Sequence, residues 1–188
     1  MEKEYNPALA FDAFTAGIED GGLRSKTSIE ILACYIVANC TEKITAKNIV
    51  DSLVEGKIAN YFEISDAISK MIRMGNLVED KDGYLVITDD CRYSVEIVEK
   101  DLPFTIRERA VEIVRKTVRH EINKKENKVE IVKDGEQYKI TMHVSDKDRD
   151  FMVLSLYVPT QAQAEVIRDK FQEHPAEVYQ ALIDKIFE

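Results

Sequence analysis

The sequence predicts an α+β chain in two parts, and three observations carry the prediction. Helical apolar spacing from about Ser25 to Gly75 gives way to an extended pair around a charged turn, so three helices are followed by a β-hairpin. A long helical stretch opens the second half at Phe104. Three extended segments between residues 129 and 158 then lead into two more helices, which makes that half an antiparallel meander with helices.

Residues 1–24 combine Pro7, Gly17, Gly21 and Gly22 with Leu9, Phe11, Phe14 and Ile18, too apolar for a solvated tail and too broken for a helix; they read as an arm that docks. From Ser25 or Thr27 a helix is expected, and Ile29, Ile31, Leu32, Tyr35 and Ile36 nearly encircle it, which requires burial on most sides. Thr45 is the expected N-cap of a second helix carrying Ile49, Val50 and Leu53 and ending near Gly56. Ile64, Ile68, Met71 and Ile72 define a third, and Gly75 stands where a left-handed residue would stop it. Leu77 and Val78, the turn Glu79 to Gly83, and Tyr84 to Ile87 then read as the hairpin. Thr88 is expected to cap a helix with Tyr93, Ile97 and Val98 that runs to about Lys100, before Pro103 interrupts the pattern.

In the second half, Ile106, Ala110, Ile113, Val114, Thr117 and Val118 form a broad stripe on a helix from Phe104 to about Lys125. The segments Val129 to Lys133 and Gln137 to Val144 are joined through Asp134-Gly135, a tight-hairpin signal, and Phe151 to Val158 comes next. Thr160 and Gln163 read as a capping box for a helix with Val166, Ile167 and Phe171, and Pro175 suits the first position of a last helix with Tyr179, Leu182, Ile183 and Ile186. The domains read as an arm 1–24, a first domain 25–102 and a second 103–188.

Bulk properties narrow the function classes. With 188 residues and 45% hydrophobic content the chain can bury a substantial core. Its longest apolar runs fall far short of the roughly 18 to 20 residues of a membrane span, so no membrane partner is expected. The opening Met1-Glu2-Lys3-Glu4 offers no export signal, and a cytoplasmic protein is expected. Cys34, Cys40 and Cys91 lack any Cys-x-x-Cys spacing and read as reduced thiols, not as a disulfide framework or zinc site. The net charge of -9 is uneven: residues 1–102 carry 11 basic and 19 acidic side chains, residues 103–188 carry 15 and 16.

Three helices followed by a hairpin within residues 25–87 is the element order of a winged helix, a helix-turn-helix with a strand pair added. On Asn60-Tyr61-Phe62, the helix to Gly75-Asn76-Leu77, and Tyr84 to Thr88, the sequence resembles the winged-helix regulators, and more closely a bacterial family of unknown function built on the same module. The resemblance implies a transcription regulator that binds double-stranded DNA. In such regulators the third helix enters the major groove and the hairpin touches phosphates. Ser65, Ser69, Lys70 and Arg73 lie opposite the apolar face of that helix, and Lys81 lies in the hairpin turn; these are the candidate DNA-contacting residues.

Charge runs against that reading. Glu63 and Asp66 stand at the start of the helix, and Glu79, Asp80 and Asp82 surround Lys81; carboxylates near phosphates forfeit the counterion-release gain of Lys or Arg. The link from Leu53 to Phe62 also exceeds the roughly 3 or 4 residues usual in a DNA-binding helix-turn-helix. Nine basic against five acidic residues between Phe104 and Lys133, Arg107, Arg109, Arg115 and Lys116 among them, would offer a compensating basic face. The alternative is a protein-interaction or dimerisation scaffold with the same fold. Ligand sensing by the second domain is a third reading, without residues to carry it.

No catalytic site, metal or cofactor is expected. Asp146, Asp148 and Asp150 alternate as in a calcium loop, but Phe151 and Tyr157 occupy positions that such a loop needs for Gly and Glu. His120, His143 and His174 are scattered, and no nucleophile with a base is found. The segment Phe151 to Val158 is apolar on both faces, Phe151, Val153 and Tyr157 on one and Met152, Leu154, Leu156 and Val158 on the other. Something must cover the second face, the N-terminal arm or a second subunit, and a homodimer is expected.

Overall fold

A computed structural model describes Leu23, residues 25–146 and residues 149–188. Apart from Leu23, the expected N-terminal arm lies outside the described residues, as does Asp148. Within them the chain is a mixed α+β protein with seven α-helices and two small antiparallel sheets.

α1 (Lys26–Asn39) is enclosed on most sides, with Ile29, Leu32 and Ile36 fully buried, as its all-round apolar pattern dictates. α2 (Ala46–Glu55) opens on a reciprocal cap: the Asn48 amide donates to the Thr45 hydroxyl at 3.2 Å, and the Thr45 amide donates to Asn48 Oδ1 at 2.9 Å. The helix ends where expected, at Glu55 with Gly56 as its C-cap. Gly56 keeps right-handed backbone at φ -71, and Lys57 takes the positive φ of 53. A Cβ on Gly56 would lie 2.7 Å from Ile113 Cδ1 and 3.1 Å from the Ser52 carbonyl, so the glycine permits close approach of another helix instead of a left-handed turn.

α3 (Tyr61–Arg73) leads into β1 (Leu77–Glu79) and β2 (Leu85–Ile87), which pair antiparallel with Leu77 opposite Ile87. A further extended contact joins this hairpin to the segment before α2: Thr45 bridges Tyr84, and the Leu85 amide donates to the Ile44 carbonyl at 2.8 Å. α4 (Asp89–Val98) comes next, then a 3-10 turn at Glu99–Asp101. Thr88 stands at the N-cap of α4 but does not cap it. Its hydroxyl donates to the carbonyls of Gly75 and Asn76 at 3.3 and 3.2 Å, because the chain returning from β2 brings Thr88 to the orphan carbonyls beyond α3. Asp89 and Asp90 supply the negative charge that suits the first turn. Cys91 and Val95 form the buried face of α4, while Tyr93 and Ile97 are exposed.

α5 (Phe104–Glu126) belongs by its first half to the same core: Ile106, Ala110, Val111, Val114 and Val118 join α1 to α4. The chain divides into two compact units between Val118 and Arg119, inside this helix.

In the second unit β3 (Val129–Asp134), β4 (Gln137–Asp146) and β5 (Arg149–Val158) form an antiparallel meander in that order. Asp134 pairs with Gln137, so the turn residues are Gly135, at φ 63, and Glu136. Ile140, Met142 and Val144 of β4 and Phe171 make the buried centre. α6 (Gln161–Glu173) and α7 (Pro175–Phe187) supply Phe171, Ile167, Val178 and Tyr179 against this face. Thr160 accepts the Gln163 amide at 3.3 Å, and Pro175 takes the first position of α7. The alternation expected of β5 breaks at Phe151. Val144 faces Met152 and Ser145 faces Asp150, which leaves Phe151 as the extra residue of a bulge, with its ring centroid 6.5 Å from that of Tyr179. No helix among the described residues is long and apolar enough to cross a membrane.

Candidate functional site

α3 is fixed at both ends by its own sequence. Asn60 Oδ1 accepts the Glu63 amide at 3.0 Å, and the helix stops in a Schellman motif: Asn76 donates to the Met71 carbonyl at 2.9 Å and Gly75, at φ 74, to the Ile72 carbonyl at 3.0 Å. Ile64, Ala67, Ile68 and Met71 are buried in the first core. Phe62, Asp66, Ser69 and Arg73, spaced by four, three and four residues, therefore form an outward stripe with Ser65 half-buried on its flank.

The expected contact residues separate into two groups. Ser69 and Arg73 are exposed on the stripe, and Lys81 is exposed in the hairpin turn. Lys70 turns toward α1 instead, where its ammonium meets Glu30 Oε1 at 2.7 Å. In the turn, Asp80 is a structural residue: its Oδ1 accepts the amides of Asp82 and Tyr84, both at 2.9 Å, and Gly83 at φ 82 completes the reversal. One of the three acids around Lys81 thus faces its own backbone. Two features leave no mark in the sequence pattern. Lys43 lies over the Tyr84 ring at 5.2 Å, which adds a cation beside the hairpin; the extended contact that brings it there is too short to leave a period. Phe62, 79% exposed and edge-on to Tyr61 at 5.6 Å, borders a groove of about 200 Å³ with Lys26, Glu30, Glu63, Asp66 and Ala67.

Four of the nine basic residues expected to form a compensating face, Arg107, Arg109, Arg115 and Lys116, make contacts within the first unit. Arg107 is buried, 2.8 Å from Glu99, and lies over the Tyr35 and Phe104 rings. Arg109 donates to the Gly56 carbonyl at 3.1 Å and Arg115 to the Asn39 carbonyl at 2.6 Å. These two arginines satisfy carbonyls at the ends of α2 and α1, where the helix dipoles favour cations. Lys116 pairs with Glu112 at 3.4 Å.

Burial pushes the Cys34 thiol up, with Cys91 beside it adding to the effect, and pushes Cys40 up to about 11; neither is poised as a nucleophile. Asp150 receives Ser145 Oγ at 2.6 Å and His143 Nδ1 at 2.9 Å, bonds that hold its carboxyl below the usual range. Its partners thus come from the neighbouring strand. His120 on α5 and His174 where α6 meets α7 both lie near Glu173, while His143 on β4 pairs with Asp150. Among the described residues no group of three or more His, Cys, Asp or Glu side chains could hold a metal ion.

Residues 29–186 match the family described as a domain of unknown function, DUF4364. The chain belongs to that family. No curated protein matches it, and no solved structure does. The DUF4364 match takes in α3, the hairpin and the β3 to β5 sheet alike, so both units belong to what defines the family.

Proposed function

We propose that this DUF4364 protein is a non-enzymatic, DNA-binding transcription regulator of the winged-helix type that works as a homodimer in the cytoplasm. The observation that carries the reading is the arrangement of α3 and the hairpin. A helix capped at both ends presents Ser69 and Arg73 outward, with Ser65 half-buried on the flank, and runs directly into a strand pair whose turn exposes Lys81. The Thr45 to Tyr84 bridge, which ties the hairpin to the start of α2, supports a winged-helix reading of the first unit, since it gives the strand pair a third short partner. On this reading Arg73, Lys81 and Lys43 meet phosphates, and Ser65 and Ser69 reach base edges. Two copies would set two such helices on successive half-sites.

A specific observation favours a second reading, a protein-binding module. Lys70 is held by Glu30, Asp66 offsets Arg73 on the stripe, and Phe62 and Tyr61 are exposed at the head of α3. A salt-titrated gel shift on genomic fragments separates the two. DNA contact predicts binding at low salt whose log affinity falls linearly with log salt, and Arg73→Ala should reduce that slope by about 0.9. Absence of any shift at the lowest salt would leave the protein-binding module as the reading.

A further inference from the structure

We propose that the free edge of β5 is the site where a second copy of this chain pairs, joining two three-stranded sheets into one. This inference deepens the homodimer in the preceding reading and stands whether or not DNA is bound. Both β3 and β5 are edges of the meander, and the sequence treats them oppositely. β3 carries Glu130, Lys133 and Asp134, with Lys128 just before it, the charges by which a free edge resists pairing. Beyond Arg149 and Asp150, which open the ten-residue strand, the eight residues from Phe151 to Val158 include no charged residue and no proline, in a chain with a net charge of -9. Among the described residues no strand lies on its other side.

Side chains along this edge remain open to solvent: Val153 is 53% exposed, Tyr157 57% and, on the adjacent α6, Val166 62%. The edge runs into a groove of about 430 Å³ lined by Val158, Pro159, Ala162 and Val166. A second copy fits better than a charged partner because β5 matches itself. Antiparallel pairing about a dyad through Leu154 sets Met152 against Leu156 on the face that the helices cover and Val153 against Ser155 on the open face. The same dyad sets Phe151 of one copy opposite Tyr157 of the other, next to the residues that line the groove. With Phe151, Val153, Leu156, Tyr157 and Val166 each exposing part of their surface, the pair would bury on the order of 1,000 Å², the lower limit for a specific interface.

The test is the mass of the full chain in solution by light scattering, for wild type and two double variants. Wild type should run at twice 21.5 kDa. Val153→Lys with Ser155→Lys sets lysine against lysine twice across the dyad and should weaken the dimer at least about tenfold, whereas Val153→Lys with Ser155→Glu sets lysine against glutamate and should keep it. Far-UV circular dichroism checks that both variants fold, and the second keeps the test valid if the first does not. A wild type with the mass of one chain overturns the proposal, including the case in which residues 1–22 of the same chain cover the edge. So does a dimer that survives the lysine pair, or one lost equally in both variants.

Discussion

Gly56 and Gly75 show what a single residue reveals about its surroundings. Gly75 sits at φ 74 with open space around it, and its role is legible in the sequence because the apolar period stops one turn earlier. The role of Gly56 is not legible, since the atom that excludes a side chain there is Ile113 Cδ1, far along the sequence. Gly56→Ala should lower unfolding free energy by about 1 to 3 kcal/mol through overpacking between α2 and α5, read as a reduced urea midpoint at constant slope. An unchanged midpoint would mean that Ile113 moves aside freely. Lys70 is equally opaque: a helical wheel places it with Ser69 and Arg73, and only the fold brings Glu30 within 2.7 Å of it.

Elements are legible where their signal is local. Thr45, Thr160 and Pro175 mark helix starts by chemistry confined to a few residues, and the helices begin where these residues put them. Signals mislead where one residue serves two elements. Thr88 has the composition of a cap, yet its hydroxyl goes to the end of α3; Phe151 has the parity of an outward residue, yet a bulge removes it from the alternation. Thr45 also serves two elements, capping α2 and bridging Tyr84, so its loss reaches both. Thr45→Ala should destabilise the protein by about 0.5 to 2 kcal/mol in a thermal or urea melt. The backbone bridge does not need the hydroxyl, so amides around Tyr84 should keep their hydrogen-exchange protection relative to the global value; selective loss there would contradict the assignment.

At the scale of the molecule, the acidity seen in the sequence is concentrated where the candidate helix lies, and the structure narrows the cations available there. Arg109 and Arg115 of α5 satisfy carbonyls and Arg107 meets the half-buried Glu99 carboxylate, while Arg73, Lys81 and Lys43 stand outward near α3 and the hairpin among the acids. The overall division into a helical unit with a hairpin and a meander with two helices is legible from the change of apolar period, because periodicity reports the local element directly. Which part of α5 enters the first core is not, since the stripe from Ile106 to Val118 only says that one face is covered. The proposed DNA contact requires α3 and the hairpin to form one surface. Amide chemical-shift mapping of the full chain titrated with duplex DNA at low salt tests it most directly. DNA contact should produce shifts that cluster at Ser65, Ser69, Arg73 and Lys81; no shifts, or shifts confined to the second unit, would rule that contact out.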